Sequence, residues 1–203
     1  MKSKNIASLI TVAFVVILVL LSQRVFAGEP VDPSTLNPPP PPQFNPVCEK
    51  DGNQTICTVQ FSDPPFSGGS GVICQAGTGS YEVLQFQNRS VQGKRYYDQN
   101  GNLTRKIFGE VLTGTFSSPV SHVALSFDGK DTHHEDWTVP GVLINVTGSF
   151  HVYLPHGGTV IFEAGRTIET LDNFLSESGP HPFADYFVFG DTAALQPLCD
   201  ALQ

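Results

Sequence analysis

Two adjacent histidines followed by two acids, His133-His134-Glu135-Asp136, form the densest set of potential metal ligands and proton-transfer groups in the chain. A tight transition-metal site needs three or four such groups converging on one point. Acid–base chemistry needs a group poised near neutral pH, which imidazole supplies. Neighbouring residues on a strand point to opposite faces. His133 can therefore cooperate with Glu135, and His134 with Asp136, but the four cannot meet without a sharp turn. Asp128-Gly129 is a turn signal, and Lys130-Asp131 keeps the stretch polar. The segment is expected to be an exposed loop, with no metal bound and with both histidines replaceable at little cost. His122 and His151 are expected on polar strand faces, and His156 and His181, beside prolines, in loops.

No linear motif adds a nucleophile or a cofactor. Ser70 lies in Gly68-Gly69-Ser70-Gly71-Val72, which lacks the final glycine of a nucleophile elbow. Gly77-Thr78-Gly79 is followed by no suitably placed lysine, so it is not a phosphate loop. Arg166, after Gly165, is a candidate for a side chain aimed by a bulge, with a surface ion pair as its plainer role. No catalytic residue, cofactor site or metal site is assigned.

Cys48, Cys57, Cys74 and Cys199 lack paired C-x₂-C zinc spacing and read as two disulfides. Asp51-Gly52 would turn the chain between Cys48 and Cys57, leaving Cys74 with Cys199. Cys57–Cys74 with Cys48–Cys199 is nearly as good, because Pro64-Pro65 also marks a turn between the first of these pairs. The compartment agrees. Lys2 and Lys4 precede an apolar run from Ile6 to Leu21, and Val25-Phe26-Ala27 supplies small residues at −3 and −1. Residues 1–27 are read as a signal peptide cleaved before Gly28, and the protein as secreted. Losing Lys2, Lys4 and Arg24 moves the formal net charge from −8 to about −11. Such a chain repels phosphate backbones and anionic lipid, so nucleic acid and membrane surfaces are poor partners.

The elements that must position any site are strands. Residues 28–47, with five prolines from Pro38 to Pro42, read as a disordered polyproline linker. Residues 48–203 are long enough for one domain. Val123, Leu125 and Phe127 alternate with polar or small residues, as do Phe150, Val152 and Leu154, and then Val160, Phe162 and Ala164. Period two marks half-buried strands. Weaker strands are expected at Ile56–Phe61, Tyr81–Gln87, Val91–Tyr97, Leu103–Phe116, Val142–Thr147 and Tyr186–Phe189. Asn100-Gly101 and Pro155-His156-Gly157-Gly158 join neighbours as hairpins. Leu195, Leu198, Cys199 and Leu202 follow helical spacing, and Pro197 suits a first turn. The fold class is all-β: an antiparallel meander forming a barrel or strongly curved sheet, with a short C-terminal helix.

Several stretches resemble a group of secreted bacterial, often actinobacterial, β-meander proteins. They are Gly93-Lys94-Arg95-Tyr96-Tyr97, Gly101-Asn102-Leu103-Thr104, Gly114-Thr115-Phe116, Gly157-Gly158, Ala164-Gly165-Arg166 and Leu198-Cys199-Asp200-Ala201-Leu202. The group implies no activity. At the level of fold alone the meander is similar to lipocalin-like and allene oxide cyclase-like barrels, and fold does not give function. Three functions remain. The first is a binding module for a small apolar or amphipathic ligand or a cell-envelope component, favoured by the aromatic content and the missing catalytic motif. The second is a structural or adhesive surface protein. The third is a lyase, cyclase or isomerase without a linear motif. A hollow interior would favour the first, and converging histidine and acid side chains inside it the third.

Overall fold

The computed structural model describes residues 28–77 and 79–203. The proposed signal peptide therefore lies outside the described residues. Nine strands form one antiparallel sheet: β1 (Val47–Asp51), β2 (Gln54–Ser62), β3 (Phe66–Ala76), β4 (Gly79–Tyr97), β5 (Leu103–Ser117), β6 (Ala124–Asp136), β7 (Leu143–Tyr153), β8 (Thr159–Thr170) and β9 (Phe174–Ser178). The order is β1-β2-β4-β5-β6-β7-β8-β9, with β3 also on β4. The 19-residue β4 pairs with β3 along its first half and with β2 along its second. The interruption between those two strands falls at Pro64-Pro65, which have no N–H to give to a ladder.

The sheet is strongly curled but not closed. Five strand spacings separate β3 from β8, about 24 Å in a flat sheet. Yet Val72 of β3 and Ile161 of β8 share one core. That core also holds Tyr81, Val83, Phe116, Leu125, Phe127 and Val152, and is filled from above by Leu195, Leu198, Cys199 and Leu202 of helix α2 (Gln196–Ala201) and its flanks. The helical spacing in the sequence identified these four residues, and all four are buried. Cys74–Cys199 bolts the helix to β3 with Cα atoms 5.3 Å apart. Cys48–Cys57 joins directly opposed residues of β1 and β2. Both bridges fit an oxidising compartment.

Curling is made possible by glycine on the inner face. Gly93, Gly114 and Gly129 lie directly opposite Phe108, Phe127 and Phe150 on the neighbouring strands. A Cβ on any of the three would come within 2.6 Å of its partner phenylalanine. The Phe127 and Phe150 rings thus lie over bare backbone, which favours a tight bend between adjacent strands.

A second, smaller core occupies the other end: Leu36, Cys48, Cys57, Tyr97 and Leu103, with Val31 and Trp137 packed against it. It corrects the expectation for residues 28–47. Those residues pack on the domain as a strap and do not stand off as a spacer. The Lys50 amide donates to the Glu29 carbonyl at 2.8 Å and the Val31 amide to Cys48 at 2.9 Å, while the buried Tyr97 hydroxyl donates to the Pro38 carbonyl at 3.1 Å. Polyproline leaves its carbonyls free, and here a sheet edge and a tyrosine use the strap's.

Two further expectations fail. Tyr186–Phe189 is no strand; it belongs to helix α1 (Pro182–Phe189), opened by Pro182 and capped by Gly190 in the left-handed region. Asp128-Gly129 is no turn, because β6 runs straight through it. Gly129 serves there to accommodate Phe150.

Candidate functional site

Between the two cores the inner face turns polar. The strand register sets side chains in rows across the sheet. One row runs Phe61, Val91, Glu110, Asp131, Gly148, Gly165. The next, toward the strap, runs Gly93, Phe108, His133, Val146, Thr167, Glu177. On the other side lie Arg89, Leu112, Gly129, Phe150 and Glu163.

These rows line a half-open cavity of about 260 Å³, walled by Leu112, Val146, Phe150 and Phe183 and by the polar groups of Asp131, Glu163, Thr167 and His181. Past Asp131 and Gly148 it meets a groove of about 650 Å³ that reaches Phe61 and Val91. Small-molecule sites typically occupy about 300–1,000 Å³.

His133 is not in a loop. It sits on β6, half-buried, with its ring stacked on Phe108 at 4.4 Å. Its Nε2 lies 3.1 Å from Asp131 Oδ1, at ion-pair distance but without the alignment of a hydrogen bond. Burial lowers its pKa, but the contact with Asp131 and the charges of Asp131, Glu110 and Glu135 prevail and raise it. Alternation separates His133 and Glu135, facing inward, from His134 and Asp136. Glu135 is buried, receives the Trp137 indole N–H at 2.7 Å and pairs with Lys106 at 2.8 Å.

Possible ligand atoms of Glu110, Asp131 and His133 lie within 4.8 Å of one another. Both Glu110 oxygens are already held by the Arg89 guanidinium, which also donates to Asp63 at 2.7 Å. The Glu110 bond, opposed by burial and aided by Asp63, keeps Arg89 protonated. Two uncommitted ligands beside a fixed cation make a poor metal centre.

On the opposite wall stands a pair that sequence reasoning missed. Beyond β9 the chain folds back over β8 at Gly179-Pro180-His181, held by the Ala164 amide donating to the Pro180 carbonyl at 2.9 Å. Gly165 (φ +139°) and Gly179 (φ +99°) adopt backbone conformations open to glycine, and a side chain on either would strike the other segment. His181 is thereby buried at 6% exposure on the cavity wall. Its Nε2 is 3.0 Å from the Ser178 carbonyl oxygen, and its Nδ1 is 3.8 Å from Glu163. Glu163 accepts the Phe183 amide at 3.0 Å. Burial raises its pKa, against the lowering effects of that bond and of His181, with Glu177 adding to the rise.

The other expected positions stay apart. His122 occupies a turn with φ of 62°. His151 packs by Phe162 on the outer face, and Arg166 donates to Asn145 at 2.8 Å on the surface. Val160, Phe162 and Ala164 were expected on the buried face of β8; instead Ile161 and Glu163 point inward and Phe162 is 49% exposed. All four cysteines are in disulfides.

Comparison with protein-family models, with curated proteins and with solved structures finds no match to the chain. Among the described residues no helix is long and apolar enough to cross a membrane.

Proposed function

We propose that the protein is an exported binding module whose inner cavity takes a small amphipathic ligand. One observation carries the proposal. Among the described residues, four buried side-chain polar atoms have no hydrogen-bond partner; two of them, on Asp131 and His181, line this cavity, and a third belongs to Glu177, opposite the lining residue Thr167 on the next strand. Buried polar groups are nearly always paired, and an unpaired one costs about 1–3 kcal/mol. Two such groups set opposite an apolar wall suit a molecule with a polar end and an apolar body. Export is supported by the basic start, the apolar run and Ala27, together with the two disulfides.

A test is native mass spectrometry of protein purified from its own host, followed by titration of the stripped protein with the neutral dye Nile red. One bound molecule, lost in Val146→Trp, is the expected result. Absence of both a co-purifying molecule and dye binding in folded protein would refute the proposal.

The Glu163–His181 pair favours a second reading, an acid–base lyase or isomerase, since a carboxyl with a raised pKa beside an imidazole can pass a proton to and from a bound molecule. Recovery of a chemically altered ligand after incubation would favour it over simple binding.

A further inference from the structure

We infer that the polar end of the ligand is a primary ammonium, a head group that only donates hydrogen bonds. This rests on the ligand-binding reading of the cavity and narrows it to one chemical class.

The argument begins at His181. Its Nε2 faces the Ser178 carbonyl, which can only accept. In the neutral ring Nε2 therefore carries the proton, which leaves Nδ1 a bare lone pair. Nδ1 is buried, unpaired and on the cavity wall. Asp131 Oδ1, also on the wall, is a carboxylate oxygen that meets His133 Nε2 at 3.1 Å without a hydrogen bond, and Glu177 Oε2, unpaired on the strand beside Thr167, is another. Glu163 Oε1 lies 3.8 Å from Nδ1, too far for a direct bond. The unmet need of this site is thus entirely for donors. An ammonium brings three and no lone pair. A hydroxyl brings one, and a carboxylate or phosphate would set acceptor against acceptor.

Charge points the same way. Asp131 and Glu163 place two acids on the cavity wall, with Glu177 near Glu163 behind it. The nearby cations are committed: Arg89 to Glu110 and Asp63, and Lys106 to Glu135. Lys130 contributes to the cavity rim, but its side chain is exposed on the outer face, alternating with Asp131. His133 alone stands against Asp131. The apolar wall of Leu112, Val146, Phe150 and Phe183 then receives the ligand's tail, so the class is an amine with a hydrocarbon or aryl-alkyl body.

The test is calorimetric titration of the stripped, full-length mature protein at pH 7.5 with four probes of one tail length: n-octylammonium, N,N,N-trimethyloctylammonium, n-octanol and n-octanoate. The expected result is one-to-one binding of octylammonium, at least about tenfold tighter than octanol or the trimethyl probe, with octanoate not binding. Glu163→Gln should weaken octylammonium by about tenfold and octanol by less, because only the charged head loses a carboxylate. If octanol or octanoate equals octylammonium, the ammonium inference falls while the cavity reading stands. If the trimethyl probe equals octylammonium, charge without donation suffices and the inference also falls. If none of the four binds to folded protein, the cavity reading itself fails.

Discussion

Replacing Glu163 by glutamine should make the ligand-free protein more stable at pH 8 while impairing the site. The glutamine carbonyl can keep the bond from the Phe183 amide, which Glu163 accepts at 3.0 Å. The new amide N–H₂ faces His181 Nδ1, the buried atom that now lacks a partner. Satisfying such an atom recovers part of about 1–3 kcal/mol, and removing a buried charge adds to it, so a gain of about 1–2 kcal/mol is expected. The pH dependence carries the sharper signature. Burial raises the pKa of Glu163, so the folded protein holds this proton more tightly than the unfolded chain. Between the ordinary carboxylate range and the raised folded value, stability must fall as pH rises, by at most about 1.4 kcal/mol per pH unit, and then level off. Glutamine abolishes that component, leaving the one of His133. Urea unfolding of both proteins from pH 4 to pH 8 measures it. The two curves should nearly meet at the acid end, with the variant higher above it. Parallel curves, or a variant less stable at pH 8, would refute the assignment of Glu163 as a carboxylate held in the cavity at a cost.

His133→Ala should cost about 1–2 kcal/mol, through loss of the Phe108 stack and of the Asp131 contact, whereas His134→Ala, on the exposed outer face, should stay within about 0.5 kcal/mol. Because the folded pKa of His133 is raised, its contribution is complete below the unfolded pKa and lost as pH rises through the folded value, a trend the alanine variant should lack. Serine at Cys74 and Cys199 should destabilise by about 5 kcal/mol, against about 2.5 kcal/mol for Cys48 and Cys57, since the closed loops span 125 and 9 residues; equal losses in denaturant unfolding would contradict the loop-entropy account. Gly129→Ala should cost about 1–3 kcal/mol, read from the unfolding midpoint, because its methyl meets the Phe150 ring. Elemental analysis should find no stoichiometric zinc or copper, and one equivalent lost in His133→Ala would restore the metal reading.

Much of the architecture was legible because it is local. Asn100-Gly101 and Pro155–Gly158 do join neighbouring strands, and Val123, Leu125, Phe127, Phe150 and Val152 face inward as their alternation indicates. The site was not legible, for the same physical reason in several places. On β8 the inward residues include Glu163 and Gly165, so the face lining the cavity is the more polar one and hydropathy alternation points the wrong way. At Asp128-Gly129 the residues of a tight turn serve instead to admit Phe150. His181, beside a proline, looked like a loop residue; only the return of the chain across β8 buries it. No short-range pattern signals that crossing. The strap was misjudged because a proline run cannot form a core of its own, yet it completes one that the sheet supplies.

The placement of Leu195, Leu198 and Leu202 bears on how the protein acquires its shape. Apart from the β2–β4 contact, which spans the β3 hairpin, each strand pair of the sheet joins consecutive strands. Pairing can therefore advance hairpin by hairpin as the chain emerges, with short loops to close at each step. The residues that fill the larger core arrive after all of it. Until they dock, Val72, Val83, Leu125, Val152 and Ile161 face water on a curled sheet with open edges. Cys74 must wait for a partner 125 residues away. The interval before Cys199 arrives is when the nascent sheet is most exposed to pairing with another copy, and when a thiol oxidant acting too early would trap the wrong bridge.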